Sequence, residues 1–243
     1  MSLYQTLIES VKNRNCPIAQ IVVGAHWTLV TSQYTGLAST QVIKFRPNHG
    51  VKNAGDLQRK RSDELLEYFF SENPVEAAVG LATINSLLSP PSLPHSGQNA
   101  LEIITKYGER KTVAIIGHFP FVEQLRPQIK ELRVFELDPL PGDHHADRLP
   151  KLLPECDVIG ITSTTLLNKT LTQVLSYCQK DAIKILIGPS TPLTPLMFDY
   201  GIDFLCGVTI REREHLAKQI SQGATLKQLS GIEYITISKK RMS

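Results

Sequence analysis

The side chains best suited to chemistry stand where apolar runs of this chain stop. His118 follows Gly117 at the end of Thr112–Gly117, Glu136 closes Arg133–Glu136, and Asp143 lies in the loop Pro141-Gly142-Asp143-His144-His145-Ala146-Asp147. An imidazole near a carboxylate suits general acid–base chemistry or the anchoring of an anion. Histidine with Asp or Glu also suits a divalent or transition metal, with His118, Glu136 and Asp143 as candidate ligands. The His144-His145 loop meets no fixed metal spacing, and a polar loop capping a helix that starts near Ala146 explains it better.

Two further run ends carry hydroxyls. Thr162-Ser163-Thr164-Thr165 closes Val158–Thr162, with Asn168 soon after, and Gly188-Pro189-Ser190-Thr191-Pro192 closes Lys184–Gly188. Hydroxyl-rich turns at helix starts offer backbone amides to an anion. Their plainer role is N-capping. Asn85 is the polar residue on a helix side shared with Ala78, Leu81 and Leu88, so its amide must bond to backbone or reach outward. The turn Gly-His-Phe-Pro-Phe (117–121) stands where G-x-G-x-x-G would cradle a pyrophosphate, and Pro120 lacks an amide to donate. NAD, NADP and FAD are therefore not expected to bind.

These residues need two kinds of scaffold. Residues 1–95 read as a small α+β domain: a helix from Leu3 to Lys12, two β-rich runs joined at Thr35-Gly36 and extending to Phe45, a helix from Asp56 to Phe70, and a helix from Pro74 capped by Asn73. A Pro- and Ser-rich joint between Leu88 and Asn99 ends that pattern. Residues 96–243 alternate strands with helices, notably Leu166–Tyr177 and Arg211–Gln222, as a doubly wound parallel sheet does. In such sheets ligands bind beyond the carboxyl ends of the strands. The fold class is α/β.

The bulk numbers narrow the function. The chain has 243 residues, 42% hydrophobic and 20% charged, with a net charge of +3. So small a charge argues against nucleic acid, and Arg59-Lys60-Arg61 is balanced at once by Asp63, Glu64 and Glu67. No apolar run spans a membrane. Cys16, Cys156, Cys178 and Cys206 form no C-x-x-C pair and read as reduced thiols of a cytoplasmic protein. A homodimer stays open.

The motifs GHFPF, FELDPLPGD, CDVIGITSTTLLNKTL and GPSTP, in this order, resemble the C-terminal domain of the family described as a “putative heavy-metal chelation” domain. GLATINSLL (80–88) resembles its N-terminal partner. The resemblance implies an enolase N-terminal-like domain followed by a Rossmann-like domain, and a role with metals or metal-chelating small molecules. It implies ligand-binding positions at Asn85, His118, Glu136, Asp143, Thr162, Thr164, Asn168, Ser190 and Thr191. Two departures stand out: Ser163 occupies an expected glycine position, and His144-His145 is not a family feature. Two functions follow. The first is binding of a small anionic or metal-chelating ligand in an interdomain cleft. The alternative is an enzyme there, with His118 as general acid/base beside Glu136.

Overall fold

The computed structural model describes residues 1–41, 50–90 and 95–239. The end of the second β-rich run to Phe45, residues 91–94 of the Pro-Ser joint and the basic tail beyond Lys239 lie outside the described residues. Two compact units divide the chain. Unit 1 comprises Met1–Ser92, Pro189–Thr194 and Gly207–Tyr234; unit 2 comprises Leu93–Gly188, Pro195–Cys206 and Ile235–Ser243. Segments at 189–194 and 207–234, far beyond residue 95 in sequence, thus pack within unit 1. Among the described residues no helix is long and apolar enough to cross a membrane.

Unit 1 starts with α1 (Leu3–Val11), opened by a capping box between Ser2 and Gln5 and burying Leu3, Leu7, Ile8 and Val11. An antiparallel sheet follows, ordered β1 (Gln20–Val23), β2 (Trp27–Thr31), β3 (Thr35–Ser39). The run expected to be one helix from Asp56 to Phe70 is instead a 3-10 turn at Leu57–Arg59, α2 (Ser62–Leu66), and a second 3-10 turn at Glu67–Phe70. Lys60 and Arg61 stay extended because Arg61 reaches back to Asn15, donating to its Oδ1 at 2.8 Å and its carbonyl at 2.7 Å. A distant hydrogen-bonding partner overrides local helical spacing here.

Helix α3 (Pro74–Leu87) begins as its sequence predicts, with the Asn73 side chain accepting from the Val75 amide. It is buried on nearly every side, which its small residues permit. A Cβ on Gly36 of β3 would lie 2.1 Å from the Ala82 carbonyl oxygen and 2.3 Å from the Ser86 amide, and one on Gly80 would lie 2.1 Å from the Phe69 amide. Backbones touch directly at both places. The sheet's other apolar residues, Trp27, Leu29 and Leu37, pack against Val208, Leu216, Ala217 and Ile220. That core explains why residues 207–234, including the helix Arg213–Ser221, belong to unit 1.

The second sheet has eight strands: β4 (His95–Ser96), β5 (Thr112–Ile116), β6 (Glu131–Glu136), β7 (His144–His145), β8 (Val158–Thr162), β9 (Ile183–Ile187), β10 (Phe204–Ile210) and β11 (Ile232–Ser238). Their order is β4-β11-β10-β9-β8-β5-β6-β7. From β7 to β10 the neighbouring pairs are parallel, and β4 runs antiparallel to β11. Successive strands add on one side of β5 as β6 and β7, then on its other side as β8, β9 and β10. Direction therefore reverses at β5, the place where open α/β sheets bind ligands. Buried Val113, Ile115, Val158, Ile185 and Ile187 form the core with Ile103 and Ile104 of α4 (Ala100–Gly108).

The close approach at Gly36 yields a stability prediction. Gly36→Ala forces strand and helix apart and should cost about 3 kcal/mol or more. Gly97→Ala, where a Cβ meets nothing within 4 Å, should be near neutral. Urea denaturation midpoints of the two variants check the contrast.

Candidate functional site

Beyond the carboxyl end of β5 the chain turns through Gly117 at φ 96°, where a Cβ would lie 3.0 Å from both Thr162 side-chain carbons. The Gly117 amide donates to the Phe135 carbonyl at 2.9 Å, tying this turn to β6. Glu136, the last residue of β6, then uses both carboxylate oxygens on main chain: Oε1 accepts from the His118 amide at 2.7 Å and Oε2 from the Leu137 amide at 3.1 Å. Charge-assisted bonds of this kind tie the turn's main chain to the end of the strand. Phe119 stacks on Phe121 with centroids 5.2 Å apart, filling the rest of the turn with aromatic surface.

The His118 ring has a different partner. Its Nδ1 lies 3.1 Å from Oδ2 of Asp143, whose side chain is 2% exposed against 34% for the histidine. The same oxygen accepts from the Leu140 amide at 3.3 Å, and the Asp143 amide donates to the Leu140 carbonyl at 2.9 Å. Gly142, at φ 96°, supplies the left-handed backbone in this loop. A carboxylate accepts only, so Nδ1 carries the proton and Nε2 is the ring atom left for a ligand. Among the described residues no hydrogen bond reaches Nε2. The sequence suggested Glu136 beside the ring; in the fold Glu136 fixes the main chain and Asp143 orients the imidazole.

The hydroxyl-rich turn after β8 is largely self-satisfied. Thr162 Oγ1 lies 3.0 Å from Thr164 Oγ1 and accepts from the Thr164 amide, while Thr165 Oγ1 donates to the Thr162 carbonyl at 2.6 Å. The expected helix Leu166–Tyr177 is a 3-10 turn at Ser163–Leu166 and a separate helix at Leu171–Tyr177. The break follows from Lys169 at φ 61° and from Asn168, whose exposed side chain accepts from the Thr170 amide at 3.2 Å and hydroxyl at 2.6 Å. Ser163 is buried, and a Cβ on Gly188 would lie 2.7 Å from its hydroxyl.

His144 and His145 diverge, as neighbours in a strand do. His144 Nδ1 lies 3.3 Å from an Arg148 nitrogen, and His145 caps the following turn by accepting from the Asp147 amide. Among the described residues no group of three or more His, Cys, Asp or Glu side chains comes together as a metal-binding set. Burial pushes the thiols of Cys156 and Cys206 up to about 11 and that of Cys178 to about 12, which leaves them protonated and unreactive at neutral pH.

Asn85, Ser190 and Thr191 belong to unit 1. Asn85 Nδ2 donates to the carbonyls of Leu37 at 3.0 Å and Ser190 at 3.1 Å, so its amide does bond to backbone. Ser190 Oγ accepts from the Ser39 amide at 2.8 Å. These bonds hold the segment Pro189–Thr194 to β3. Beside it is a cavity of about 290 Å³ whose walls include Asn85 and Thr191 together with Tyr34, Thr209, Arg211 and Arg213. The last four were not singled out from sequence; the spacing of Thr209 and Arg211, two apart in an extended run, was the available signal.

A family model described as “putative heavy-metal chelation” matches residues 99–238, and a second with the same description matches residues 4–88. An uncharacterised protein of Methanocaldococcus jannaschii is 32% identical over 183 residues, covering 72% of this chain and 70% of that protein. A crystal structure of a protein of unknown function from the first of these families, from Desulfitobacterium hafniense DCB-2, is similar with a TM-score of 0.84 and 26% identity over 98% of both chains. Another, from Pyrococcus horikoshii, has a TM-score of 0.82 over 98% of this chain and 100% of that one; at 19% identity it speaks for the fold alone.

Lys169 provides a pH test of the turn after β8. Burial lowers its ammonium from 10.5 to about 8. Between those values the unfolded chain holds the proton more than the folded one, so stability rises with pH across that window. The slope should approach about 1.4 kcal/mol per pH unit in mid-window. Lys169→Met should remove this rise, measured as denaturation midpoints against pH.

Proposed function

We propose, because the chain belongs to the family described as “putative heavy-metal chelation”, that it binds a small anionic or metal-chelating ligand beyond the carboxyl ends of the parallel strands. The observation that carries this reading is the His118–Asp143 pair. A buried carboxylate that fixes one ring nitrogen is how proteins aim the other at a metal or an anion. Glu136, by holding the His118 amide, keeps the ring's own backbone in place. The Thr162 and Thr164 hydroxyls, beside Gly117 and already bonded to each other, form the neighbouring polar wall. With Zn²⁺ or Ni²⁺, Nε2 of His118 would supply a neutral nitrogen donor; a bound chelator would supply the remaining ligands.

A second reading has the same support. A histidine whose Nδ1–H is held by a carboxylate is also the oriented base of acid–base catalysis, with Nε2 accepting and returning the proton. Chemical change of a bound small molecule, followed by mass spectrometry in wild type and His118→Ala, separates catalysis from binding.

Calorimetric titration with Zn²⁺, Ni²⁺ and their citrate and histidine complexes tests the proposal. His118→Ala should weaken binding by about tenfold or more, that is about 1.4 kcal/mol. Asp143→Asn should weaken it less while Nε2 remains. Metal ligation should weaken as pH falls, because protons compete for the neutral ring. An anion held by the imidazolium should bind more tightly instead. Unchanged affinity in His118→Ala would overturn the assignment.

A further inference from the structure

The cavity in unit 1 combines three features that point to one class of ligand. First, Asn85 Oδ1, Thr191 Oγ1 and Thr209 Oγ1 are buried, and among the described residues they have no hydrogen-bond partner. Buried unpartnered polar atoms are uncommon, and each costs about 1–3 kcal/mol. Only Trp27 Nε1 and Asp63 Oδ1 share this condition among the described residues, so three of the five such atoms belong to residues that line one cavity. Second, among the described residues those walls carry Arg211 and Arg213 but no Asp or Glu. Third, its volume of about 290 Å³ suits a molecule of few heavy atoms.

The donor and acceptor roles are readable. Both Asn85 Nδ2 hydrogens go to the carbonyls of Leu37 and Ser190, which fixes the orientation of the amide. Its Oδ1 is then an acceptor that only a donor can satisfy. The threonine hydroxyls can donate or accept. Arg211 is paired with Glu233 through Nε at 2.7 Å and also through Nη2. Among the described residues Arg213 meets only Glu214, at 3.8 Å, so its guanidinium is the one better placed to take a new anion.

We propose that this cavity is a binding site for small hydroxy-carboxylates, with the carboxylate on Arg213, the hydroxyl donating to Asn85 Oδ1, and the Thr191 and Thr209 hydroxyls completing the polar contacts. The inference uses side chains of unit 1 alone and does not rest on the reading of His118.

Isothermal titration of the full chain with glycolate, lactate, malate and citrate, each against its analogue lacking the hydroxyl (acetate, propionate, succinate, tricarballylate), tests it. At least one hydroxy-acid should bind saturably, and its analogue should bind about tenfold or more weakly. Arg213→Gln and Thr209→Val should each weaken that binding several-fold with the thermal midpoint of the free protein little changed. Inorganic phosphate serves as the generic anion. Absence of saturable binding by all four hydroxy-acids overturns the proposal. So does equal binding of the analogues or of phosphate, or unchanged affinity in both variants.

Discussion

The direct contact between α3 and β3 is the constraint on which unit 1 depends. No side chain separates the two backbones at Gly36, because any Cβ there would fall inside the van der Waals shell of Ala82 and Ser86. The consequence reaches past packing. With α3 this close, Asn85 can bond the Leu37 carbonyl on β3 and the Ser190 carbonyl in the same gesture. A late segment of the chain is thereby fastened to an early strand by one amide. The same closeness lets the Ser86 carbonyl accept from the Tyr34 amide at 2.8 Å and the Ser86 hydroxyl meet that of Ser32 at 2.6 Å. A buried helix of mostly small residues needs its few hydroxyls satisfied, and Thr83 does so by donating back to the Val79 carbonyl.

Unit 2 solves a different problem. Parallel strands end with main-chain amides and carbonyls directed out of the sheet, and those groups need partners. Here two carboxylates take the role. Glu136 collects the amides of His118 and Leu137, and Asp143 collects that of Leu140 as well as the imidazole. The arrangement has a chemical result: the acid nearest His118 in strand order is used up on backbone, and the one brought back by the loop orients the ring. The orientation of this imidazole is therefore a by-product of how the β5 and β6 ends are closed.

Belonging to the family described as “putative heavy-metal chelation” narrows the chemistry without naming a ligand. Two polar clusters stand out. One presents an oriented imidazole, the other an arginine and unpartnered oxygens. Among the described residues neither collects the three or four soft or carboxylate donors that a dedicated metal cage requires.

Periodicity and punctuation along the chain determined the elements whose signals are local. The Asn73-Pro74 start of α3, the apolar runs of β5, β8 and β9, and the α/β class were all legible, because capping and strand burial act over a few residues. Histidine, acids and hydroxyls at strand ends were legible for the same reason. Tertiary structure decided whatever depended on distant partners. Arg61 broke an expected helix by reaching Asn15, and Asn168 became a turn residue through Thr170 once Lys169 adopted a left-handed backbone. The choice of Asp143 over Glu136 for the ring, and the recruitment of residues 189–194 and 207–234 into unit 1, were likewise unreadable beforehand. Spacing along a chain specifies which face a side chain takes; which partner it meets is set by long-range packing, where one hydrogen bond or one bare glycine outweighs local propensity.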